Sequence, residues 1–142
     1  MIIFVGAPSG DPSENELHNG WAIEQYFKMI RTIFGKGEQI LFPPYVESDE
    51  PDKIFSVVQQ NIFSCDKGII FSAKKSSGPL IEAGLLATAN KPMALIGSKG
   101  LIAGRIILGL PNLVGVAEMR EPKQVENLLL RLRGTEGGKL KR

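Results

Sequence analysis

Five short apolar runs punctuate the chain: "IIFV" from Ile2 to Val5, "EQILF" from Glu38 to Phe42, "GIIFSA" from Gly68 to Ala73, "PMALIG" from Pro92 to Gly97, and "NLVGVAE" from Asn112 to Glu118. Each is short for a helix and mostly continuous rather than alternating. Each therefore predicts a strand, and Ile2 to Val5 one buried on both faces, the mark of a parallel sheet. Segments with helical spacing lie between them. Trp21 to Phe34 sets Trp21, Ile23, Phe27, Ile30, Ile33 and Phe34 at helical intervals and stops at Gly35. Asp52 to Ser64 does so through Ile54, Val57, Val58, Ile62 and Phe63, and Pro122 to Arg133 through Val125, Leu128, Leu129 and Leu132. Leu101 to Leu108 predicts a further short helix. Strands that alternate with helices imply right-handed crossovers and a sheet covered on both sides. The expected fold is α/β, a flavodoxin-like three-layer sandwich with a five-stranded parallel sheet in the order 2-1-3-4-5.

At 142 residues the chain predicts one domain over residues 1–134, with residues 135–142 a basic, flexible tail ending in "GGKLKR". The net charge of +2 is too small to imply nucleic acid as a partner. Cys65 stands alone, so no intramolecular disulfide forms, and a reducing, cytoplasmic setting is expected. Cys65 itself reads as a small buried hydrophobe, with a reactive thiol the alternative. No signal peptide and no membrane span are read from the sequence.

Ligands of such sheets sit at the carboxyl ends of the strands. Three loops converge there. "GAPSGDPSE" offers small residues, Gly6, Ser9 and Gly10 among them, whose backbone N–H groups suit a phosphate or a sugar hydroxyl. A plain strand-to-helix turn explains the loop equally well, and it has neither P-loop nor dinucleotide spacing. "PPYVESDEPD" offers Tyr45 as a stacking ring and Asp52 among its carboxylates, although Asp52 also fits a helix N-terminus. "AKKSSG" offers Ser76, Ser77 and Gly78, with Ser77 a suitable N-cap and Pro79 suited to a first turn. The single histidine, His18, completes no catalytic set, and no His/Cys cluster has metal-ligand spacing. Neither a metal nor a cofactor is expected.

The segment "SSGPLIEAGLLATANKP", Ser76 to Pro92, predicts a helix apolar all round, covered by the sheet and by a partner subunit. Its one charge between Gly78 and Asn90 is Glu82. An acidic residue near a helix start offsets the dipole. A carboxylate among such neighbours is otherwise paired, hydrogen-bonded or used for chemistry. Nearby N–H groups are expected to favour its ionised form, which suits a nucleophile.

"CDKGIIFSAKKSSGPLIEAGLLATANKPMALIG", Cys65 to Gly97, resembles the core of the nucleoside 2-deoxyribosyltransferase family and its nucleotide N-glycosidase relatives. Asp66, Ser77, Gly78, Glu82, Gly84, Lys91 and Pro92 match the family pattern, and "IIFVGAPSG" is similar to its first strand and loop. The resemblance implies cleavage of the bond between a base and a (deoxy)ribose, in a nucleoside or a nucleoside 5′-monophosphate. It implies Glu82 as the nucleophile that attacks the anomeric carbon, by the logic of a retaining glycosidase. It also implies a homo-oligomer with sites near subunit interfaces. Two positions depart from the transferases: Ser76 stands where they carry Asp, and Phe4 where they carry Tyr. A non-catalytic nucleotide-binding module on the same fold is therefore the alternative.

Overall fold

The computed structural model of the chain describes residues 1–7, 23–72, 78–97 and 108–135. Within them run β1 (Ile2–Gly6), α1 (Ile23–Phe34), β2 (Gln39–Leu41), α2 (Pro51–Ser64), β3 (Lys67–Ser72), α3 (Gly78–Thr88), β4 (Met93–Gly97), β5 (Leu113–Glu118) and α4 (Pro122–Arg133). All five strands are parallel, in the order β2-β1-β3-β4-β5. The α/β three-layer architecture expected from the sequence is the one observed. Trp21 and the helix expected over Leu101 to Leu108, save its last residue, lie outside the described residues. No helix among the described residues is long and apolar enough to cross a membrane.

Side chains of a strand alternate between faces, and here both faces are apolar. Ile3, Val5, Ile69, Phe71, Ala94 and Ile96 meet α1 and α4. Phe4, Ile70, Met93 and Leu95 meet α2 and α3. Each fully buried aliphatic or aromatic side chain contributes about 1.5–3 kcal/mol relative to exposure. The three inner strands match the expectation of burial on both faces. β2 and β5 are mostly half-buried, because they are the edges of the sheet. In β5 the register slips: Met93 pairs with Leu113, but Ala94 pairs with Gly115. The extra residue, Val114, resets the alternation so that Val116 packs with α2 and α3 while Ala117 packs with α1 and α4.

Two polar groups close this core from inside. The Tyr26 hydroxyl of α1 donates to the Met119 carbonyl. Lys67 is 1% exposed, and its Nζ donates to the carbonyls of Leu132 and Arg133 at 2.9 and 3.0 Å. It thereby caps the last turn of α4, where a cation also meets the negative end of the helix dipole. Cys65 is buried as expected, and its thiol donates to the Ile62 carbonyl at 3.1 Å. Burial pushes that thiol up to about 11.

The expected inward stripe of α2 is narrower than its sequence suggests. Val58 and Ile62 are buried, but Ile54 is 39% and Phe63 56% exposed. On α1 the order is reversed: Tyr26, absent from the apolar pattern, is fully buried.

Candidate active site

Helix α3 lies directly on the sheet because two glycines let it approach. A Cβ on Gly68 of β3 would stand 2.3 Å from Leu86 Cδ1. A Cβ on Gly6, the last residue of β1, would stand 2.5 Å from Glu82 Oε1. Glu82 and Leu86 are four residues apart, so they share one helix face. Together with Pro79 and Ala83 they form the buried stripe of α3. Glu82 thus occupies a core position, at the carboxyl end of β1.

The helix begins at Gly78, so Glu82 is its fifth residue and lies beyond the first turn. A dipole-offsetting role weakens there, because the effect falls off within that turn. Glu82 is 8% exposed, and burial raises its carboxyl from 4.5 to about 7. This corrects the expectation that helix-start N–H groups favour the ionised form: the cost of taking the charge out of water prevails.

A cavity of about 690 Å³ opens beside Glu82. Ala7 and Gly78 border it, Tyr45 walls one side, and Ile54, Phe55 and Ile81 form an apolar wall. Glu82 and Tyr45 are the ionisable groups among its described lining residues. Tyr45 follows the cis Pro43–Pro44 bond. Its ring stacks on Phe4, with centroids 5.1 Å apart and planes 26° apart. Its hydroxyl donates to the Val5 carbonyl. Burial, and then the Glu82 charge, hold this phenol far above its ordinary range.

Of the residues singled out from the sequence, Gly6, Tyr45, Gly78 and Glu82 come together here. Ser9, Gly10, His18, Ser76 and Ser77 lie outside the described residues. Asp52 is exposed in the first turn of α2 and is not in the cavity lining. Asp66 sits at the other end of the sheet, where its Oδ2 accepts the Ile2 N–H at 2.7 Å and ties the start of β1 to the start of β3. Sequence reasoning missed the apolar wall. The signal was present in Ile54, Phe55 and Ile81, but an apolar residue at a cavity mouth looks like one in a core. Ser72, which closes β3 on the Ile70 side, was missed too. Its Oγ is buried and has no hydrogen-bond partner among the described residues.

No protein-family model matches the sequence. No curated protein matches it either. Solved structures do. The fold is one this chain shares with a CMP N-glycosidase and a 2-deoxyribosyltransferase. The CMP N-glycosidase BcmB of Clostridium botulinum superposes with a TM-score of 0.59 at 20% identity, covering 91% of this chain and 97% of that one. The 2-deoxyribosyltransferase of Bacillus psychrosaccharolyticus gives 0.58 at 19% identity, covering 89% and 91%. A conserved protein of Enterococcus faecalis V583 gives 0.59 at 12% identity, covering 89% and 97%.

Proposed function

We propose that this chain cleaves the N-glycosidic bond of a nucleoside or nucleoside 5′-monophosphate, or transfers its (deoxy)ribosyl group, with Glu82 as nucleophile. The observation that carries the reading is one carboxyl at a core position of an apolar helix, facing a cavity at the carboxyl end of the sheet. The activities named for two of the fold neighbours support the reaction class.

The chemistry runs in two displacements. An ionised Glu82 oxygen bonds to the anomeric carbon as the carbon–nitrogen bond breaks. The bonding pair leaves with the base, which takes up a proton. Water, or a second base, then attacks the same carbon and releases the carboxylate. Because the carboxyl titrates at about 7, the reactive fraction grows as pH rises through neutrality. Gly6 leaves room for the carboxyl. Gly78, with Ser9, Gly10, Ser76 and Ser77, is proposed to meet the sugar and any phosphate, and the apolar wall the base. Asp52 and Asp66 are left out of this assignment because of where they lie. Ile54, Phe55 and Ile81, exposed by 39, 47 and 56%, support a homo-oligomer in which a second copy covers the cavity mouth. Light scattering on the purified chain reads this directly, and a strict monomer refutes it.

The test of function is chromatography of free base after incubation with nucleosides and their monophosphates. Wild type should release base, and Glu82→Gln should not. No release by wild type, or equal release by the variant, refutes the reading. One observation favours a second reading, a nucleotide-binding module without turnover: Glu82 is the sole carboxyl among the described cavity-lining residues, so none of these offers a second acid for the leaving base. Calorimetric binding of a nucleotide, with no base released, selects that reading.

A further inference from the structure

The two sides of β1 end differently. Its register with β3 continues to Gly6↔Ile70. Its register with β2 stops at Phe4↔Leu41. Pro43 and Pro44 follow β2 after Phe42 and have no N–H with which to extend the ladder. On that side Val5 and Gly6 have no strand partner among the described residues. Tyr45 fills the gap, donating its hydroxyl to the Val5 carbonyl. Its ring is fixed on Phe4, one residue earlier. Gly6, one residue later, is the backbone on which the Glu82 carboxyl rests. Three consecutive residues of β1 therefore connect the tyrosine to the carboxyl.

We propose that Tyr45 is a positioning residue for Glu82: it holds the open side of the end of β1, and Gly6 transmits that position to the carboxyl. The kinetic part of this inference rests on the glycosidase reading above; the positional part does not. A side chain that only filled space, or only stacked on a substrate base, would leave the free carboxyl's titration unchanged when its hydroxyl alone is removed.

The test follows the Glu82 carboxyl by carbon NMR in glutamate-labelled protein, with the resonance assigned by its loss in Glu82→Gln. Tyr45→Phe keeps the ring and removes the hydroxyl; Tyr45→Ala removes both. Tyr26→Phe is the control, because it deletes the same kind of hydroxyl-to-carbonyl bond on the other face of the sheet. A carboxyl that shifts off Gly6 meets more water, so its midpoint should fall by about half a unit in Tyr45→Phe and by about a unit or more in Tyr45→Ala. Tyr26→Phe should leave it in place. An unchanged midpoint in Tyr45→Phe overturns the proposal, as does an equal shift in the control. Should Tyr45→Ala show no cooperative melt, Tyr45→Phe alone decides. In turnover, Tyr45→Phe should lower kcat with KM near wild type, whereas a raised KM with unchanged kcat would set Tyr45 against the substrate and overturn its positioning role. Wild type that releases no base refutes the glycosidase reading, and the titration still decides on Tyr45.

Discussion

The two faces of the sheet use the same materials to different ends. Among the described residues each carries two helices and a tyrosine that donates to a backbone carbonyl, Tyr26 fully buried and Tyr45 half-buried. Under α1 and α4, Tyr26 lies among apolar side chains, and burial, then Glu121, pushes its phenol up to about 12. Under α2 and α3, Tyr45 stands beside a cavity and a carboxyl. Two of the glycines follow the same division. Gly115 admits Leu128 and the flexible end of Arg131, whereas Gly6 admits Glu82 Oε1. One face is spent on cohesion. The other keeps a charge-bearing group where a purely cohesive face would carry a leucine.

The largest effects should separate the two faces. Glu82→Gln should lower base release by at least about 10³-fold while the chain still melts cooperatively. Ile30→Ala, on the opposite face, should cost about 2–5 kcal/mol of stability and leave kcat near wild type at temperatures where the protein is folded. Denaturant melts and turnover measured on both variants decide it. If each variant loses both properties, the two faces do not divide the labour.

Glu82 also makes a pH signature. Its folded carboxyl titrates at about 7 against an ordinary 4.5, so the folded state holds the proton more tightly than the unfolded chain. Stability should therefore fall as pH rises from about 4.5 to about 7 and level off above that. The full loss is on the order of 3 kcal/mol. Glu82→Gln should abolish this slope and be the more stable protein at pH 8. Melts across that range that run parallel for the two proteins would contradict the burial argument.

Smaller effects sharpen the contrast between the glycines. Gly6→Ala places a methyl 2.5 Å from Glu82 Oε1 and 2.8 Å from Ile70 Cδ1, so it should lower kcat by about 10²-fold through displacement of the carboxyl. Gly115→Ala meets Arg131 Nη2 at 2.8 Å and Leu128 Cδ1 at 2.9 Å, and should cost about 1–3 kcal/mol of stability with turnover unchanged. Smallest of all, Ser72→Ala removes a buried hydroxyl that has no partner among the described residues, and its melt should match or exceed wild type by up to about 1 kcal/mol.

Much of this was legible in the sequence, for stated reasons. A buried parallel strand requires a short apolar run, and all five runs became strands. Five strands alternating with helices then suggested the flavodoxin-like order. Glu82 drew attention because a charge on an apolar helix needs a reason. What escaped was non-local. The protonation of Glu82 depends on Gly6, a distant strand residue, and on how closely α3 sits on the sheet. Tyr45 reaches a carbonyl 40 residues away. Ile54 and Phe63 satisfied the helical spacing of α2, but spacing alone does not tell a core contact from a cavity rim or an exposed face. Asp66 could have been read more closely: a residue that leads into a parallel strand lies at the amino end, away from where ligands bind.

Lys67 offers a clock for the motion of the last helix. Its amine is held by two carbonyls of α4, whereas Lys53 and Lys123 stand in the open. An acylating reagent should therefore modify those two within its mixing time and reach Lys67 only when α4 lifts from the start of β3. Peptide mass mapping against time would turn that delay into an opening rate, and with it a measure of how firmly the end of the chain is fastened to the central strand.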